Sequence, residues 1–309
     1  MSHAKHVRFS IQIPDAPDAG AWGDKARRAD DLGFYSISVP DHLGPSLPQL
    51  APLVALASAA AVTSRLRLAV TVLDNDFRHP VMLAKEIATL DVLSNGRVDM
   101  GLGAGWLEED YTKTGLTTWD PPATRVERLF ESVSVLRQLF SGEPVTFSGA
   151  HYRVTDFRSH PKPIQDPVPL IIGGRGRRML SFAAREAQII SVLAATGEGG
   201  NRLAGFERQL RWIDEAGGAS RSDLLLGIRI PFGELVASGS SSESAAERLG
   251  GRMGMSASEV LASPFLLVGD LSQIKDHLVE IAERFGVSYV TLSEDLAWQI
   301  APVIEELSG

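Results

Sequence analysis

His42 follows Asp41 directly after the apolar run Phe34 to Val39. A histidine at a strand end can donate to, or exchange protons with, a bound ring. Asp41 then either orients that ring or caps local backbone, and a purely structural histidine is the competing reading. The turn Gly173-Gly174-Arg175-Gly176-Arg177-Arg178 opens an expected helix. Exposed backbone N–H groups and the positive dipole end hold a phosphate at such a place, and arginines add charge-assisted donors. Without a ligand, the same glycines make the turn and the arginines are solvated. The turn lacks Gly-Lys-Ser/Thr and is no Walker loop, and neither it nor Gly101, Gly103 and Gly105 around Ala104 matches a dinucleotide fingerprint. The second set of glycines implies close approach of backbone, to a ligand or to a neighbouring strand. Trp106, Tyr111, Trp119 and Phe147 fall in expected loops, where aromatic rings either wall a space for a flat ring or anchor the loop. His3 and His6 are terminal, His79 precedes Pro80, and His151, His160 and His277 are scattered. No pair has metal-ligand spacing, so no metal is expected.

These residues act together only if the chain's elements converge them. Val7 to Ile13 alternates as a strand, a helix from Ala19 follows with Gly33 as its stop, and Phe34 to Val39 is the next strand. The rhythm continues with a helix from Pro48 to about Thr63, strand Leu66 to Leu73, helix Pro80 to Leu93 and strand Arg97 to Gly103. A long connection, Trp106 to Pro122, leads to a helix from about Thr124 to Phe140, and Val145 to Val154 reads as a hairpin insertion. Strand Val168 to Ile172, helix Arg177 to Glu186, strand Gln188 to Leu193, helix Asn201 to Ala216 and strand Leu224 to Phe232 come next. A serine-rich loop over Ser238 to Ser244, short helices between Ala245 and Ala262, helix Asp270 to Phe285, strand Ser288 to Leu292 and a closing helix Leu296 to Leu307 complete the chain. Eight apolar strands separated by helices predict a (β/α)8 TIM barrel with insertions, as one domain over residues 1–309, rather than an open doubly wound sheet. In such a barrel the residues after each strand form the active site. They are Asp41-His42, Asp74-Asn75-Asp76 with Arg78-His79, Gly103 to Trp106, Gly173 to Arg177, and Ser293-Glu294-Asp295.

The 309 residues, 44% hydrophobic and 22% charged, suffice for one large core. A net charge of −8 without long runs leaves no footprint for nucleic acid or an anionic membrane. The absence of cysteine removes disulfides, iron–sulfur clusters and thiolate nucleophiles, so any redox chemistry belongs to a bound group. Met1 to Pro14 carries no signal pattern and no run approaches a membrane span, so a cytoplasmic location is expected.

In order, Leu32-Gly33-Phe34 with Val39-Pro40-Asp41-His42, Asn75 to Pro80, Leu90-Asp91 to Gly96-Arg97, Gly101 to Trp106, and Pro169 to Gly174 resemble the bacterial luciferase-like superfamily, within it the deazaflavin (coenzyme F420)-dependent oxidoreductases. The resemblance implies a commonly dimeric barrel holding a deazaflavin or flavin at the strand ends, with a non-proline cis peptide at Thr71-Val72 backing the ring. It implies that His42 faces the reactive edge, Asn75 the pyrimidine side, Gly103, Ala104 and Gly105 the ribityl chain, and Gly173, Gly174, Arg175, Gly176 and Arg177 the phosphate. The expected activity is hydride transfer between F420 and a small organic substrate walled by Trp106 and Tyr111. The rivals are an FMN-dependent monooxygenase fed by a separate reductase, a non-catalytic flavin-binding protein and a metal-dependent hydrolase. Some F420 dehydrogenases carry a glutamate where this chain has Trp106, so Glu108, Glu109 or Asp110 replaces that acid only if the loop delivers it.

Overall fold

The computed structural model describes residues 7–195, 197, 201–217 and 224–308; His3 and His6 lie outside them. The chain divides into two compact units, Met1–Ile13 with Asp31–Ser36 and Gly173–Gly309, and Pro14–Asp30 with Ile37–Ile172.

In the first unit the parallel strands Ile189–Val192, Leu225–Ile230, Val287–Ser293 and Arg8–Gln12 lie side by side. The helix Leu271–Phe285 begins where the Asp270 side chain accepts the Gln273 N–H and the Gln273 side chain answers it, and it stops at left-handed Gly286. Its buried Ile274, Leu278, Ile281 and Phe285 recur at helical spacing.

The second unit holds the strands Arg67–Val70, Leu73–Asp74 and Val98–Gly103, while Ser36–Val39 and Leu170–Gly174 cross the division. Within it, Asp30 accepts the backbone N–H groups of Ser64 and Leu66, each at 2.9 Å. Arg97 donates to the carbonyls of Ala60, Thr63 and Leu66. These charges fasten the strand beginnings, the end of a barrel concerned with stability.

The hydrogen-bonded order runs Arg67–Val70, Ser36–Val39, Arg8–Gln12, Val287–Ser293, Leu225–Ile230, Ile189–Val192, Leu170–Gly174, Val98–Gly103, Leu73–Asp74. Arg67–Val70 also pairs with Val98–Gly103, so the order closes as an eight-stranded (β/α)8 barrel, with Leu73–Asp74 continuing the third strand. All eight expected strands are present.

Five details differ. The helix expected from Pro48 starts at Pro52, and the long connection contains a short helix, Glu108–Thr112. The fifth strand runs on through Gly173 and Gly174, and the closing helix breaks into Glu294–Gln299 and Ala301–Ser308. The segment after Ile230 leaves the barrel as Phe232–Leu235, which pairs in parallel with Leu266–Gly269. The hairpin forms as Val145–Ser148 and Arg153–Phe157.

Candidate active site

Pro40 ends the strand Ser36–Val39 and releases Asp41 and His42. The Asp41 carboxylate accepts both Arg78 Nη groups, at 2.6 and 3.3 Å, and the Asp74 backbone N–H at 3.1 Å. Asp41 therefore joins the second strand to the third and is turned to Arg78. The carboxylate on His42 is that of Asp110, with Oδ2 at 2.7 Å from Nδ1. Its Oδ1 accepts the Leu43 and Gly44 N–H groups at 2.9 and 3.0 Å. A carboxylate that satisfies two N–H donors and the ring places the ring proton on Nδ1, so neutral His42 presents Nε2 as an acceptor. The helix Glu108–Thr112 supplies this acid, and the preceding residue, Glu109, accepts from Ser46 Oγ at 2.8 Å. The loop thus delivers Asp110 behind His42, while Glu108 is exposed. Trp106, 62% exposed, stands edge-on to the imidazole with centroids 5.4 Å apart.

The peptide bond Thr71-Val72 is cis and separates the strands Arg67–Val70 and Leu73–Asp74. A Cβ on Gly101 would lie 1.8 Å from the Val70 carbonyl oxygen, and one on Gly103 would lie 2.6 Å from Val72 Cγ2. At Gly105, with φ +73°, a Cβ would meet the Tyr111 hydroxyl at 1.9 Å and Asp74 Oδ2 at 2.5 Å. The glycines of the fourth strand are thereby explained by a neighbouring strand and a buried side-chain pair. Gly101→Ala is expected to lower stability by about 3 kcal/mol or more, because a backbone oxygen cannot swing away as a side chain can. A melting temperature equal to the wild type's would refute the close approach.

Tyr111 donates its single hydroxyl proton between both Asp74 oxygens, at 2.7 and 2.8 Å, while Asp74 Oδ1 also accepts the Asp76 N–H at 3.0 Å. Burial pushes the Asp74 carboxyl up to about 7, against the lowering by these bonds, and pushes the Tyr111 phenol up as well. Asp76 is also raised by burial and pairs with Arg128 at 2.8 Å, which reaches Asp120 as well. Arg125 donates to the Ala104 carbonyl at 3.0 Å and lies 3.6 Å over the Trp119 ring, pinning the turn after the fourth strand.

A group with a raised folded pKa stabilises fully below its unfolded pKa and loses that contribution as pH rises through the folded one. For Asp74 the window runs from 3.8 to about 7, and ionisation costs on the order of 4 kcal/mol above it. Asp74→Asn keeps an acceptor at Oδ1, where two donors converge, and removes the titration. The variant is expected to gain stability relative to wild type as pH rises across this window, measured by denaturant unfolding. Parallel pH profiles for the two proteins would contradict it.

Asn75 is 1% exposed; its Nδ2 donates to Tyr152 Oη at 3.1 Å and Asp76 Oδ1 at 3.4 Å. Its Oδ1 has no partner, a buried acceptor awaiting a donor. Glu131 holds Tyr152 in place by accepting the N–H groups of Ala150, His151 and Tyr152. His79 caps the helix Pro80–Leu93, its Nδ1 accepting the Val81 N–H.

The Gly173–Arg177 turn is described within the first unit. Gly176 precedes the helix Arg177–Glu186 and offers no side-chain cap. Arg175 and Arg177 are exposed, Arg177 pairs with Glu215 at 3.2 Å, and buried Gln209 holds the Arg175 carbonyl at 2.9 Å. Among the described residues no group of three His, Asp or Glu could hold a metal ion, and no helix is long and apolar enough to cross a membrane.

The residues from Asp41 to Tyr111 named in the sequence thus meet in one unit; of the three loop acids named there the structure sets Asp110 on His42, and it adds Arg125 and Arg128. Arg125 and Arg128 stand at i and i+3 on one helix, a visible pairing, but their partners lie on other elements.

A family model described as luciferase-like monooxygenase matches residues 7–257. An uncharacterized protein of Mycobacterium tuberculosis is 34% identical over 183 residues, 52% of this chain and 64% of its own length. An F420-dependent glucose-6-phosphate dehydrogenase of Intrasporangium calvum is 32% identical over 205 residues, 64% of this chain and 59% of its own length. The chain spans less than two thirds of these curated relatives. The solved coenzyme F420 dependent tetrahydromethanopterin reductase from Methanopyrus kandleri aligns over 98% of this chain and 97% of its own, with a TM-score of 0.74 and 24% identity, a likeness of fold.

Proposed function

The chain belongs to the luciferase-like monooxygenase family, and from that premise we propose that it is a coenzyme F420-dependent oxidoreductase acting on a small organic substrate. The observation that carries this reading is the buried, unpartnered Asn75 Oδ1 beside the Thr71-Val72 bulge, an acceptor that fits the N–H of a pyrimidine ring. The cofactor, when bound, supplies the hydride chemistry. Asn75 would receive the ring's N–H, and the backbone at Thr71 and Val72 would support the ring. Gly103, Ala104 and Gly105 would border the chain that leads from it. The uncapped helix start at Gly173 to Arg177 would hold the phosphate, with Arg175 as its exposed donor. His42 would take or give a proton through Nε2, and Trp106 would belong to the substrate side, whereas Tyr111, expected there from the sequence, is buried with its hydroxyl on Asp74 and supports the wall from behind. Asp41 would act through Arg78 on the frame of the third strand.

Two named relatives, the dehydrogenase of Intrasporangium calvum and the reductase of Methanopyrus kandleri, use F420, which supports the cofactor assignment over FMN. The position after the fourth strand holds Trp106 beside His42, so an acid at that point is replaced by an apolar wall. This favours a substrate without a group to be protonated there. FMN is the second reading, drawn from the family's own description as monooxygenase, and it would require a separate reductase. A cytoplasmic homodimer completes the proposal.

Affinity for reduced F420 and reduced FMN, measured side by side, tests the assignment. Tighter binding of F420 by about tenfold or more is expected; the pyrimidine N–H that Asn75 would receive is common to both cofactors, so the preference comes from groups the two do not share. Preference for FMN would transfer the protein to the monooxygenase reading. Binding without any spectral response to a broad substrate panel would favour a carrier.

A further inference from the structure

The strands Arg8–Gln12, Val287–Ser293 and Leu225–Ile230 lie side by side in the first unit, and their register sorts side chains onto two faces. Phe9, Ile11, Val290, Leu292, Ile228 and Ile230 are the apolar set, each no more than 1% exposed. The helices Leu271–Phe285 and Ala301–Ser308 pack on these strands. The opposite face is polar. Ser10 pairs in register with Thr291, and Thr291 with Arg229, so these three form one row. Gln12 and Ser293 form the next row toward the strand ends. The inward positions of such barrels are ordinarily filled by Val, Ile and Leu, so core packing does not account for this face.

Arg229 is the unusual member. Its Nε donates to Gln12 Oε1 at 2.7 Å, and among the described residues it makes no ion pair. The other well-buried arginines named above each have a carboxylate partner or several backbone carbonyls. Arg67 is paired with Asp99, Arg78 with Asp41 and Arg128 with Asp76. Arg97 and Arg125 have no carboxylate but donate to several backbone carbonyls each. Arg229 has one amide, which takes a proton donor without neutralising the charge. Burial correspondingly disfavours its charged form. In the same row the Ser10 hydroxyl is fully buried and has no partner. With Nε engaged, the remaining guanidinium donors are those on the two Nη nitrogens, which match the spacing of an oxyanion.

We propose that Arg229, held by Gln12 and flanked by Thr291 and Ser10, is a binding site for an oxyanion, the carboxylate or phosphate group of an organic ligand. The group is carried either by the substrate, which then belongs to the class of organic acids or phosphate esters, or by the cofactor. The inference stands on the first unit's own residues and holds whether the cofactor is F420 or FMN.

Cofactor-free protein melted in chloride, butyrate or inorganic phosphate at equal ionic strength tests it, alongside the affinities of the same variants for reduced F420 and reduced FMN. Butyrate or phosphate is expected to raise the wild-type melting temperature saturably, with an apparent affinity at least about tenfold weaker in Arg229→Met and intermediate in Arg229→Lys, which keeps the charge and loses the fork. Loss of that response with unchanged cofactor affinity assigns the anion to the substrate. Loss of cofactor affinity without an anion response assigns it to the cofactor. If Arg229→Met does not fold, Arg229→Lys and the isosteric Thr291→Val carry the comparison. Variants that match the wild type in both anion response and cofactor affinity overturn the site. Because the anion arm contains no cofactor, failure of the F420 assignment leaves its outcome untouched.

Discussion

His42→Ala is expected to lower turnover by about a hundredfold or more while the cofactor still binds. The ring is held at Nδ1 by Asp110 at 2.7 Å, which leaves Nε2 as its working atom. A histidine kept merely for packing would not need a buried carboxylate that also collects two backbone N–H groups. Removing the ring deletes the proton carrier, yet the Asn75 side chain is held by Tyr152 and Asp76 and should keep its position. The measurement is steady-state turnover, with cofactor affinity taken separately. Turnover within about threefold of wild type, with cofactor bound, would end the proton-transfer role.

Asp110→Asn is the second large expectation, and it has a readout independent of substrate. The Leu43 and Gly44 N–H groups both point at Oδ1, so the amide oxygen must take that place and the amide NH2 must face His42. An NH2 donor there needs Nδ1 as an acceptor, which moves the ring proton to Nε2. Ring-nitrogen NMR should therefore show the Nδ1–H form in wild type and the Nε2–H form in the variant. Turnover should fall by roughly one to three orders of magnitude, as when a histidine is held in the wrong tautomer. If the tautomer stays as in wild type, Asp110 does not set the ring, whatever happens to the rate.

Much of the scaffold was legible because its signals are local. Apolar runs such as Phe34 to Val39 stop at Pro40, and Gly33 and Gly286 mark helix ends, so each element announces itself within a few residues. The departures arise where a local signal is ambiguous. Gly173 and Gly174 read as a turn, yet they continue the fifth strand, and the glycine at 174 answers to packing, since a Cβ there would approach Met179 to 2.9 Å. The strand read as Leu224 to Phe232 ends at Ile230, and Phe232 opens a separate strand whose partner Leu266–Gly269 is remote in sequence, with no turn between them to signal the pairing. In the site, the adjacency of Asp41 and His42 leaves open whether Asp41 orients the ring or caps backbone. The structure separates them, because neighbouring residues after a strand point to different sides. The acid on His42 comes from 68 positions away, and no spacing rule links the two. The cis bond at Thr71-Val72 was legible through family resemblance, as nothing in the residues themselves demands it.

The short helix Glu108–Thr112 carries two consecutive acids that grip the His42 loop, Glu109 through Ser46 and Asp110 through His42, Leu43 and Gly44. Trp106 lies just upstream in the same connection. A single exchangeable cassette therefore determines both what the imidazole sees and how the imidazole is held. Transplanting this segment between relatives to alter substrate scope would also reset the tautomer of the histidine. A chimera that swaps Trp106 alone keeps the proton chemistry; one that swaps the whole connection must bring its own partner for position 42.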